Sequence, residues 1–129
     1  MKRLAALLAV SVLAAGCNPV HSHYSVKQTA PCLTKLGYRV DTNDSHLGVI
    51  PSAAPEGALR ASKPGNTVTI SFADDAPGAR NIERGYRRHV PKRLRPHLDD
   101  VMESQHNAVL VWTITPPAAE LQRVLGCLS

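Results

Sequence analysis

Three cysteines, at positions 17, 32 and 127 of a 129-residue chain, constrain this fold more tightly than any other feature. Their meaning depends on what precedes the first of them. Lys2 and Arg3 are followed by an uncharged apolar run from Leu4 to Ala15. That run is too short to cross a hydrocarbon core of ~30 Å, which takes ~20 helical residues. A basic start, a short apolar segment and small residues at its end describe a signal peptide. The chain is therefore predicted to be exported, and an odd number of cysteines is awkward in an exported protein.

The segment Leu13-Ala14-Ala15-Gly16-Cys17 resembles the lipobox of bacterial lipoproteins. The resemblance implies cleavage before Cys17 and acylation of its thiol by a diacylglycerol, with the acyl chains seated in the membrane. It divides the chain into a signal peptide over 1–16, a lipidated cysteine and tether over 17–24, and a single domain over 25–129. It covers only the leader and is silent about the domain. Asn18 is not the Asp-type signal for inner-membrane retention, so the anchor belongs to the extracytoplasmic face of a membrane left unspecified. An ordinary secretory signal cut after Ala14 or Gly16 is the alternative. With Cys17 assigned to lipid, Cys32 and Cys127 remain as an even pair in an oxidising compartment. A disulfide between them is predicted, against two free thiols or a metal site. Closing so long a loop contributes ~4–5 kcal/mol on the chain-entropy account.

Without Lys2 and Arg3 the excess of basic over acidic residues falls from five to three. So mild a charge does not argue for nucleic acid, and an extracytoplasmic address argues against it. About 110 mature residues suffice for one small domain with marginal burial. One Trp, one Phe and three Tyr leave the core largely aliphatic.

Ser25 with Gln28 fits a capping box, and Val26, Ala30, Leu33 and Leu36 lie at helical spacing. Pro31 conflicts with a helix begun at Ser25 because it lacks an N–H, so the helix is either kinked there or starts near Thr29. Gly37 stops it, and Tyr38 to Val40 begins a strand. Asp41–Asp44 and Pro51–Pro55 read as loops. Lys63-Pro64-Gly65-Asn66 has the residues of a type II turn, followed by alternation of Val68, Ile70 and Phe72 with Thr67, Thr69 and Ser71. Asp74 or Asp75 caps a helix bearing Ala79, Ile82, Tyr86 and Val90, which Pro91 ends. A second helical piece is predicted over Pro96–His106, and a central strand over Val109–Thr115. A last helix follows Pro116-Pro117 with Leu121, Val124, Leu125 and Leu128 on its core face. The sum is an α+β two-layer sandwich with an antiparallel or mixed sheet, its helices packed on one face and the terminal ones stapled by the disulfide.

Four features bear on function. Arg80, Arg84, Arg87, Arg88, Lys92, Arg93 and Arg95 oppose one acid, Glu83, within their stretch. Near a bilayer such a face is worth roughly 1 kcal/mol per basic residue toward anionic headgroups, and it suits an acidic protein or cell-wall polymer equally. The bland alternative is a solvated helix face. His21 and His23 lie in the tether; His97, Asp99, Glu103 and His106 form a weak set of candidate metal ligands, the last three sharing a helix face in the predicted helix. No GxSxG, SxxK or triad spacing indicates a nucleophilic enzyme, and no glycine-rich loop joins a strand to a helix. No cofactor is predicted. The expectation is a membrane-anchored binding or accessory module at the cell envelope, engaging an envelope protein or polymer. A small envelope enzyme or metal-handling protein is the alternative.

Overall fold

The computed structural model describes residues 23–129. The predicted signal peptide, Cys17 and the tether through residue 22 lie outside the described residues. In chain order the elements are α1 (Val26–Lys35), β1 (Arg39–Asp41), the one-turn helices α2 (Asp44–Leu47) and α3 (Val49–Ser52), and a hairpin of β2 (Ala58–Lys63) and β3 (Asn66–Phe72). There follow α4 (Ala76–His89), a 3-10 turn over Lys92–Leu94, α5 (Arg95–Val101), a second hairpin of β4 (Met102–Gln105) and β5 (Ala108–Trp112), and α6 (Ala118–Leu125). The strands form one sheet in the order β1-β2-β3-β5-β4, and each neighbouring pair is antiparallel.

Local chemistry accounts for most boundaries. Ser25 caps α1 by accepting from the Gln28 N–H at 3.2 Å, so the helix begins there and runs through Pro31. Gly37, at φ +90°, turns the chain out of the helix into β1. Gly65, at φ +93°, supplies the left-handed third position that the Pro64-Gly65 turn requires. Asp75 caps α4 through the Gly78 N–H at 2.7 Å. A side chain at Gly78 would bring its Cβ to 2.9 Å from that of Ala73, so glycine lets the helix approach the end of β3.

Three local expectations are corrected. The stretches read as loops are helical at one end: Asp44 begins α2, which Asn43 caps through the Ser45 N–H at 3.1 Å, and Pro51 and Ser52 close α3. The helix predicted over Pro96–His106 stops at Val101, and Met102–Gln105 pairs with β5 as an edge strand. Its helical spacing came from Leu98, Val101 and Met102 alone; the tight turn at His106 (φ +51°) and Asn107 folds the chain back as a hairpin. The strand predicted to reach Thr115 ends at Trp112.

Side chains alternate across each strand. Val68, Ile70 and Phe72 of β3 lie beside Trp112, Leu110 and Ala108 of β5, with Leu59 and Ala61 of β2 completing this face. Leu33 of α1, Val124 of α6 and Leu128 pack there, in the main core. Cys32 and Cys127 are bonded at 2.02 Å, with Cα atoms 5.4 Å apart, joining the terminal helices over that face. The α+β sandwich with an antiparallel sheet and a single staple is as expected. The opposite face also carries a cover: Val109 is buried against Ala79 and Ile82 of α4, with Ile50 of α3 and Met102 beside them. Burial on both sides explains why β5 reads as a continuous apolar run.

The start of the domain is fixed by one buried amide. Asn107 accepts from the Tyr24 N–H at 2.7 Å and donates to the carbonyls of Tyr24 and Ala73, both at 2.9 Å. The chain therefore enters beside the β4–β5 turn and the start of α4.

Candidate functional site

The basic residues singled out in the sequence come together as one exposed face. At 100° per residue, Arg80, Arg84, Arg87 and Arg88 lie on the side of α4 opposite Ala79, Ile82 and Tyr86. All four are exposed, as are Lys92 and Arg93 in the 3-10 turn and Arg95 at the start of α5. Among the described residues only Arg87 of this set has a carboxylate partner, Asp99 at 2.6 Å. That pair is about half exposed on both sides (44% and 56%), which places it among the weakest kind of ion pair. Glu83 accepts from the Ser104 hydroxyl instead, and Arg84 bonds the Asn81 side chain. Among the described residues, carboxylate pairing thus reaches one arginine of the seven basic groups. Arg87, Arg88 and His89 also sit in the last turn of α4, where the helix dipole favours cations.

The candidate metal ligands separate. His97 and Asp99 lie on α5, Glu103 on β4 and His106 in the turn beyond it. The helix face that Asp99, Glu103 and His106 were expected to share does not exist, because the helix ends at Val101. No group of three or more His, Cys, Asp or Glu side chains among the described residues is placed to hold a metal ion. His23 places Nδ1 at 3.1 Å from the Asp74 carbonyl, and the His106 ring packs edge-on to Tyr24.

Sequence reasoning missed a cluster at the opposite end of the sheet from Tyr24. Glu120 of α6 accepts from the Tyr38 hydroxyl, from Lys63 Nζ at 3.3 Å and from Arg123 Nε at 3.0 Å. Lys63 Nζ stands 4.3 Å from the centroid of the Tyr38 ring. The Tyr38 hydroxyl, then Arg123 and Lys63, pull the Glu120 carboxyl down to about 2, against the upward effect of its burial. Burial first, and Glu120 next, push the Tyr38 phenol upward. Both Glu120 oxygens are occupied, so the cluster fastens α6 to the β2–β3 hairpin and leaves no free base for chemistry. Its outermost members, Tyr38 and Arg123, stand 85 residues apart and no spacing rule links them. A second small cluster joins Asp41 to the Asn43 N–H at 2.9 Å and to His46 at 2.8 Å; those bonds, the backbone one first, lower the Asp41 pKa.

Compared with known proteins, the chain matches no family profile, no curated protein and no solved structure.

Proposed function

We propose that this protein is a lipid-anchored binding module of the bacterial cell envelope, tethered by acyl groups on Cys17, whose working surface is the arginine-rich face of α4 and the turn after it. The observation that carries the reading is the exposed set Arg80, Arg84, Arg88, Lys92, Arg93 and Arg95, none with a carboxylate partner among the described residues. The length of the tether sets which surfaces that face can reach. The domain begins at Tyr24, beside the start of α4, while Lys92–Arg95 follows the far end of that 14-residue helix. A helix of that length is ~21 Å long, and the seven steps from Cys17 to Tyr24 reach at most ~25 Å. The tether is therefore long enough for the basic turn to meet the anionic headgroups of the anchoring membrane, which attract it, or an acidic envelope protein or anionic cell-wall polymer beyond them.

Two measurements test the reading. Mass spectrometry of the mature N-terminus is expected to find acylated Cys17; an unmodified Cys17 overturns the anchor. Pull-down from native membranes is expected to recover less partner with Arg88→Glu combined with Arg93→Glu. Equal recovery reduces the face to a solvated helix surface.

A further inference from the structure

The uncovered half of the second sheet face forms an open trough. Its apolar half, about 320 Å³, is walled by Leu47, Ile50 and Pro51 on one side and by Tyr86 and His89 on the other, over Val111. Its polar half, about 620 Å³, continues across β1–β3 and is lined by Arg39, Arg60, Ser62 and Thr67. Thr69 and Thr113 line both halves, so they are one continuous surface. Each volume lies within the range typical of small-molecule sites. The floor is the hydroxyl side of the alternation in β3, whose apolar side fills the main core.

The polar groups here are almost all donors. Neither Arg39 nor Arg60 has a carboxylate partner among the described residues, and Arg60 is half-buried. The acid of the trough, Asp41, lies opposite Arg60 across β1–β2 and feels its charge, but its hydrogen bonds go to His46 and the Asn43 N–H. Tyr86 extends its phenol toward Arg60 and Ser71; burial raises its pKa and those two neighbours oppose the rise, so it remains a neutral donor. A guanidinium that closes no ion pair among the described residues, beside a phenol and threonine hydroxyls, offers charge-assisted bonds to an anion. The adjoining apolar hollow offers burial to whatever the anion is attached to.

We propose that this trough binds a small amphiphile whose anionic head, a carboxylate or a phosphate monoester, is held by Arg60 and Arg39, with its apolar part against Ile50, Pro51 and Tyr86. The site uses none of the cations of the α4 face and does not rest on the lipid anchor.

Trp112, the sole tryptophan, turns its indole to the main core on the other side of β5, so calorimetry rather than tryptophan fluorescence reads the trough. The full chain is titrated with hexyl phosphate and with hexanoate, against hexanol and inorganic phosphate, by calorimetry and by the shift of the thermal midpoint in parallel. Saturable binding of at least one anionic amphiphile is expected, about tenfold or more tighter than hexanol or inorganic phosphate, and the stronger of the two identifies the head group. Arg60→Ala is expected to weaken it about tenfold or more, the effect of losing one charge-assisted contact. Arg88→Glu with Arg93→Glu is expected to leave it unchanged even if the partner pull-down fails. Should Arg60→Ala not fold, Arg39→Ala on the edge strand decides by the same criterion. Absence of saturable binding in both readouts, equal affinity for hexanol, or full affinity after loss of the arginine overturns the site.

Discussion

Asn107 shows how much one side chain can hold. It is 1% exposed, and its amide meets both polar groups of Tyr24 and the Ala73 carbonyl. Truncation to alanine leaves three buried backbone groups without partners, each costing a sizeable fraction of a normal hydrogen bond or more. Asn107→Ala is expected to lower stability by ~2–3 kcal/mol, read from the urea midpoint at unchanged slope. Glu120 supplies the pH-sensitive counterpart. Its folded pKa of about 2 lies below the unfolded value near 4.5, so its stabilising contribution is complete above about 4.5 and is lost as pH falls toward about 2. Thermal melts between pH 5 and pH 2 are expected to show a shallower acid loss for Glu120→Gln than for the parent. Neither residue announced itself in the sequence, because an isolated Asn before an apolar run, or a Glu on an amphipathic helix, has the same local pattern whatever it meets in space.

Elements declare themselves when their signals are local and fail to when a neighbour decides. The Ser25 cap prevailed over Pro31 because the terminal helix is held by more than its own ladder. Leu33 is buried, Cys32 is bonded to Cys127, and the Ser25 N–H reaches the Ser129 carbonyl at 2.7 Å. Reduction of the disulfide, or Cys32→Ser with Cys127→Ser, is expected to cost ~2–5 kcal/mol, measured by denaturation with and without dithiothreitol. Pro31 is exposed and interrupts the hydrogen-bond ladder of α1. Pro31→Ala is expected to raise stability by ~1–3 kcal/mol, since an interior proline disfavours a helix by about that amount. The segment after Val101 went the other way. Met102–Gln105 has no strong period of its own and became a strand because β5 offered an unpaired edge.

Across the whole molecule, charge is separated along α4. Asp74 and Asp75 lie beside the start of the domain, and Lys92, Arg93 and Arg95 beyond the far end of α4. Exposed charges away from packed contacts contribute little to stability. Arg88→Glu with Arg93→Glu is therefore expected to stay within ~0.5 kcal/mol of the parent in denaturation, while altering partner recovery. Short-range chemistry made legible the capped first helix, the Pro64-Gly65 hairpin, the apolar run of β5, the basic face of α4, and the even cysteine pair that implies a staple. Caps, turns and amphipathic stripes act over four or five residues, so a linear reading can reach them. Only the tertiary structure decided that Met102–Gln105 pairs rather than coils and that the metal candidates disperse. The same holds for Glu120, which gathers Tyr38, Lys63 and Arg123, and for the trough that the helices leave open on the hydroxyl side of β3. Those outcomes depend on which groups the sheet order brings within a few ångströms, a relation between distant positions that no local pattern encodes.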